Sequence, residues 1–93
     1  MKMRNRSTGA TVEVDRHYIT KNFWEYYLEK PDENGQAFGL VLGHETELGY
    51  VDVDEIRPFV VMSARPEDTD FAPAPNWEWV FVKNREQNEW RDN

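Results

Sequence analysis

Ninety-three residues carry 18 acids against 11 bases, a net charge of −7, with no cysteine. That length suits one small domain, since domains run from about 50 to 250 residues, and the missing thiols exclude disulfides and thiolate metal sites and make a cytoplasmic setting the natural one. The longest apolar stretches, Phe38 to Gly43 and Phe59 to Met62, fall far below the roughly 20 residues that cross a bilayer, so no membrane partner is expected.

Met1 to Arg6 and Thr11 to Asp15 read as two short strands around Ser7-Thr8-Gly9. Val12 and Val14 alternate with Glu13 and Asp15, the period of a half-buried strand, and Gly9 gives the backbone freedom that a tight connection needs. Asp15 is placed to cap a helical turn over Arg16 to Asn22 with Tyr18 and Ile19 inward. Phe23 to Glu29 is the clearest strand: Trp24, Tyr26 and Leu28 share one face, Glu25, Tyr27 and Glu29 the other. Pro31-Asp32-Glu33-Asn34-Gly35 is a turn, and Ala37 to Leu42 returns as the partner strand. Gly39 there marks close packing or a bend.

Gly43 to Thr46 makes a second turn and Glu47 to Val51 a third strand. Asp52 is placed to cap a short helix in which Asp54 and Glu55 meet the favourable end of the dipole, and Pro58 limits it to about one turn. Phe59 to Met62 reads as a short buried strand, Arg65 to Asn76 as a proline-rich loop, and Trp77 to Val82 as a last alternating strand. Residues 84–93 are polar apart from Trp90 and are expected to fray. The sum is a mainly β domain over residues 1–83, α+β at the margin. Five to seven short strands would form a curled antiparallel meander or small open barrel with one or two helical turns.

Charge is polarised along the chain. Lys2, Arg4 and Arg6 stand without an acid in the first eleven residues, whereas residues 25–82 hold thirteen acids against Lys30, Arg57 and Arg65, a local charge of −10. An acidic surface repels phosphate, which weighs against nucleic acid. The alternative footprint is a basic one, Lys2, Arg4, Arg6 and Arg16 with exposed aromatics, suited to weak single-strand binding.

No catalytic signature is present. His44, Glu45 and Glu47 lack the second histidine of a zinc protease. Asp52-x-Asp54-Glu55 lacks the glycine and distant glutamate of a calcium loop, so capping explains it. His17 and His44 have no nucleophile at a recognisable spacing, and the five glycines are scattered, so no phosphate loop exists. No enzyme activity, cofactor or metal is therefore expected. The strongest interaction feature is Trp77, Trp79 and Trp90 with the acidic loop carrying Glu67, Asp68 and Asp70, because Trp is enriched at binding hot spots.

Arg4-Asn5-Arg6-x-Thr8-Gly9-Ala10 resembles the opening of many short proteins of phages and prophages of Gram-positive bacteria. Trp24, Tyr26 and Glu29, then Phe38-Gly39, Gly43, Glu47-Leu48-Gly49-Tyr50 and Asp54-Glu55-Ile56 are similar to a domain-of-unknown-function family of plasmids and other mobile elements. That likeness covers roughly residues 23–57 and rests on sheet aromatics, turn glycines and a helix cap. It implies a mobile-element setting and brings no chemistry. The function expected is that of a non-enzymatic accessory protein that binds a host or phage protein.

Overall fold

Alternation of inward and outward side chains turns most of the chain into strands. The computed structural model describes the backbone of residues 1–66, 73–84 and 89–92, and the side chains of 1–66 and 73–80. Among the described residues there are nine strands: β1 (Lys2–Asn5), β2 (Thr11–Glu13), β3 (Arg16–Thr20), β4 (Glu25–Leu28), β5 (Gln36–Leu42), β6 (Thr46–Asp52), β7 (Val60–Ala64), β8 (Trp77–Asn84) and β9 (Glu89–Asp92). One helical turn, α1 (Val53–Ile56), runs into a 3-10 turn at Arg57–Phe59. All strand pairs are antiparallel. They build a four-stranded sheet in the order β2-β1-β8-β9 and a five-stranded sheet in the order β6-β5-β4-β3-β7. The mainly β, antiparallel class expected from the residues is what forms, and β3 to β6 are its meander.

The first hairpin is set by Asn5 and Gly9. The Asn5 side-chain oxygen accepts from the N–H groups of Ser7 (2.8 Å) and Thr8 (2.9 Å), and Gly9 takes a positive φ of 78°. Beyond β2 the chain changes sheets within one peptide step. The Val14 N–H donates to Met1 O in the first sheet, and the next N–H, from Asp15, donates to Leu28 O in the second, each at 2.8 Å.

Arg16–Thr20 is a strand, which corrects the helical turn expected there. Once Asp15 has bonded to Leu28, the ladder continues with His17 opposite Tyr27 and Tyr18 opposite Tyr26. Pairing on both sides, with β4 and β7, satisfies backbone groups that a single isolated helical turn would leave open. The stiff side chains of Ile19 and Thr20 also favour the pleat.

The two faces of β4 divide as the alternation predicts. Tyr27 joins Met3, Val12, Val14, Leu40, Ala74 and Trp77 in a core between the sheets. Tyr26 and Leu28 point to the opposite face and pack with Ala37 and with Val53 of α1. The five-stranded sheet is thus covered on one side by the second sheet and on the other, in part, by a helical turn. Met3, Leu28 and Leu40 are fully buried, each worth roughly 1.5–3 kcal/mol in area removed from water. Gly39 is the tightest point, since a Cβ there would lie 2.1 Å from Tyr27 O and 2.8 Å from Leu28 Cα.

The Asp52 side chain caps α1 by accepting from the Asp54 N–H at 3.0 Å, as its position predicts. The strand after it is not buried: Phe59 belongs to the 3-10 turn, and Val61 is 66% exposed. Among the described residues β7 has a neighbour on one side only, and its register with β3 slips between Ile19 and Thr20, which leaves Val61 as the extra residue of a bulge. In the polar stretch 84–93, β9 pairs with β8 and sets Trp90 opposite Lys83.

Candidate functional site

The β3–β4 connection is a three-residue turn. Thr20 N–H donates to Trp24 O and Phe23 N–H donates to Thr20 O, both at 2.9 Å, while the Thr20 hydroxyl donates to the Asn22 side chain. A turn of this kind closes on a left-handed residue, normally glycine. Phe23 occupies that position with φ 67°. Its side chain is 85% exposed, the most exposed large apolar group among the described residues. Among the described residues Asn76 is the other non-glycine at positive φ, and asparagine tolerates it. For a phenylalanine the conformation costs of order 1–3 kcal/mol, and no burial of the ring offsets it.

Beside this turn lies a cavity of about 310 Å³. The hairpin supplies Thr20, Lys21, Asn22 and Trp24 to its wall; Tyr26, Ile56 and Phe59 supply the rest. The 3-10 turn is fastened to the hairpin by the Lys21 N–H, which donates to Phe59 O at 2.8 Å, and the Lys21 ammonium sits 5.2 Å from the centre of the Phe59 ring. Trp24 also lines a second recess, of about 200 Å³, with Val41, His44, Glu45 and Glu47. The His44 ring meets Trp24 edge-on at 5.3 Å. Gly43 holds the indole in place: a Cβ there would come within 2.6 Å of its ring atoms. Trp24 is therefore a fixed wall between two openings on one face of the sheet.

The residues singled out in the sequence scatter. Trp77 is a core residue, 3% exposed, and Trp79 packs against that same core, so Trp77 offers no surface to a partner. Trp90 falls on β9, with its side chain outside the described residues, and Glu67, Asp68 and Asp70 lie outside them altogether. Lys2 and Arg4 flank the inward Met3 on β1, but the cations there face acids. Arg4 donates to Glu78 at 2.8 Å, Arg6 approaches the same carboxylate at 3.8 Å, and Lys2 lies opposite Glu13. The hydrogen bond from Arg4, helped by the charges of Arg4 and Arg6, holds the Glu78 carboxyl below its ordinary value. Arg16 belongs to the other sheet, so the four cations do not form one stripe.

A polar cluster not legible in the sequence sits on β3 and β4. His17 is 3% exposed, stacks on Tyr27 at 4.1 Å and lies 2.9 Å from Glu25 through Nε2. Burial lowers the His17 pKa, while the hydrogen bond and charge of Glu25 pull it partly back. Burial, then the charge and hydrogen bond of Glu25, pushes the Tyr27 hydroxyl well above its ordinary range. A neutral imidazole and a neutral phenol around one carboxylate make a structural cross-brace between neighbouring strands. Among the described residues no group of three His, Asp or Glu side chains is placed to hold a metal, and no helix is long and apolar enough to cross a membrane. No protein-family model, curated protein or solved structure matches the chain.

Proposed function

We propose that this chain is a non-enzymatic accessory protein of a phage or prophage, working in the bacterial cytoplasm by binding another protein. The observation that carries the reading is Phe23. A bulky ring is kept where the backbone favours glycine and is presented to solvent next to an aromatic-walled cavity. Strain of this kind persists when a side chain is needed where it stands, and an exposed aromatic beside a groove is the chemistry of a binding anchor. The mobile-element setting rests on the resemblances in residues 4–10 and 23–57. The pairing of Arg4 and Arg6 with Glu78 supports a protein partner over nucleic acid.

Phe23→Gly separates binding from folding, because it removes the ring and relieves the backbone. Captures from a Gram-positive host lysate at physiological salt, wild type beside variant, test the reading. A protein retained by the wild-type chain and lost with Phe23→Gly is expected. Identical capture by both chains would overturn it.

A further inference from the structure

The groove around Trp24 is two-sided, and its sides differ in chemistry. Towards the hairpin tip the wall is aromatic and aliphatic, with Trp24, Tyr26, Ile56 and Phe59, and its one cation, Lys21, lies against the Phe59 ring. Across the indole, the smaller recess has Val41 behind it and two carboxylates, Glu45 and Glu47, at its rim. The main chain sets where both acids leave the backbone. Glu47 lies opposite Val41 on β6, and the Gly43 N–H donates to Glu45 O at 3.1 Å, which sets the turn that carries Glu45.

We propose, building on the reading of this face as a protein-binding surface, that the two openings take adjacent side chains of one partner segment. A large apolar residue enters the 310 Å³ cavity and an arginine enters the 200 Å³ recess. An indole face attracts a cation through its quadrupole, and a planar guanidinium stacks on it while its edge donates to carboxylates. Lysine has the charge without the plane, so it fits second best. Charge complementarity selects the same partner, because residues 20–59, which supply the walls of both openings, hold nine acids against Lys21, Lys30 and Arg57 and draw basic chains towards them. The chain's own Arg4 and Arg6 are engaged by Glu78 on the other sheet, so neither is the arginine that enters the recess.

The test titrates the full chain with the capped peptide acetyl-Gly-Leu-Arg-Gly-amide and with its citrulline counterpart, which keeps the shape of arginine and removes its charge. The Trp24 indole N–H is followed by NMR. The arginine peptide is expected to saturate the Trp24 shift at about millimolar concentration, and the citrulline peptide, or a Glu45→Gln/Glu47→Gln chain, to need at least about fivefold more. Equal binding of the two peptides, no binding, or shifts that bypass Trp24 would overturn the proposal. So would a concentration-dependent dimer that the paired Gln variant dissociates, since the recess would then belong to a second copy. The lysate capture tells the two levels apart. A partner lost with Phe23→Gly but held by the Gln pair leaves the binding surface standing and removes its arginine; a partner indifferent to all three changes removes the surface itself.

Discussion

Phe23 and Asn76 share a left-handed backbone and differ in what it costs them. Asn76 uses the bend, donating to Ser7 Oγ at 3.0 Å and accepting the Arg6 N–H at 2.9 Å. Phe23 keeps its ring in solvent and stores the strain. Phe23→Gly should therefore raise stability by about 1 kcal/mol, read as a higher urea midpoint at unchanged slope. Two other glycines give a matched pair. An added methyl at Gly39 meets the Tyr27 carbonyl at 2.1 Å, whereas at Gly49 it meets nothing within 4 Å. Gly39→Ala should cost about 3 kcal/mol, and Gly49→Ala should stay within about 0.5 kcal/mol. His17 adds a pH dependence. Burial lowers its pKa below the unfolded value of 6.5, so as the pH falls the unfolded chain takes up the proton first. This contribution is complete above about pH 6.5 and is lost as the pH drops below it. Urea midpoints between pH 8 and 5 should fall in that window, and the slope should flatten in His17→Gln.

At the scale of elements, legibility followed whether a signal was local. The faces of β4 were readable because Trp24, Tyr26 and Leu28 alternate with Glu25 and Tyr27, and both sets are held where the alternation puts them. The cap at Asp52 was readable because an acid before a short apolar turn has one local use. Replacing it with alanine should cost about 1 kcal/mol in thermal or chemical unfolding. β3 was not readable: Arg16-His17-Tyr18-Ile19-Thr20 carries no alternation of its own, and its burial comes from neighbours on both sides. The site was hidden for the same reason. His44, Glu45 and Glu47 stood out as residues, but the indole they surround lies twenty positions earlier, reached only through the β4–β5–β6 pairing. The Trp77 and Trp79 pattern was visible and pointed inward, as aromatics on an alternating strand of a small domain commonly do.

Across the whole molecule the two sheets differ in how far the chain must reach to build them. In the five-stranded sheet, β3 to β6 pair with their sequence neighbours, while the four-stranded sheet sets Lys2 opposite Val80. Local pairing forms quickly, and distant pairing waits on the entropy of closing a long loop. The peptide between Val14 and Asp15 is the seam of that assembly, one amide bonded to each sheet. Neighbouring residues are thereby assigned to different sheets: Asp15 is held with the meander, and Val14 with the β1–β2 hairpin, which completes its sheet only through the distant strand β8. Native-state hydrogen exchange should resolve the step, with the Val14 amide opening at lower free energy than the Asp15 amide beside it. Equal protection at the two positions would mean that both sheets open as a single unit.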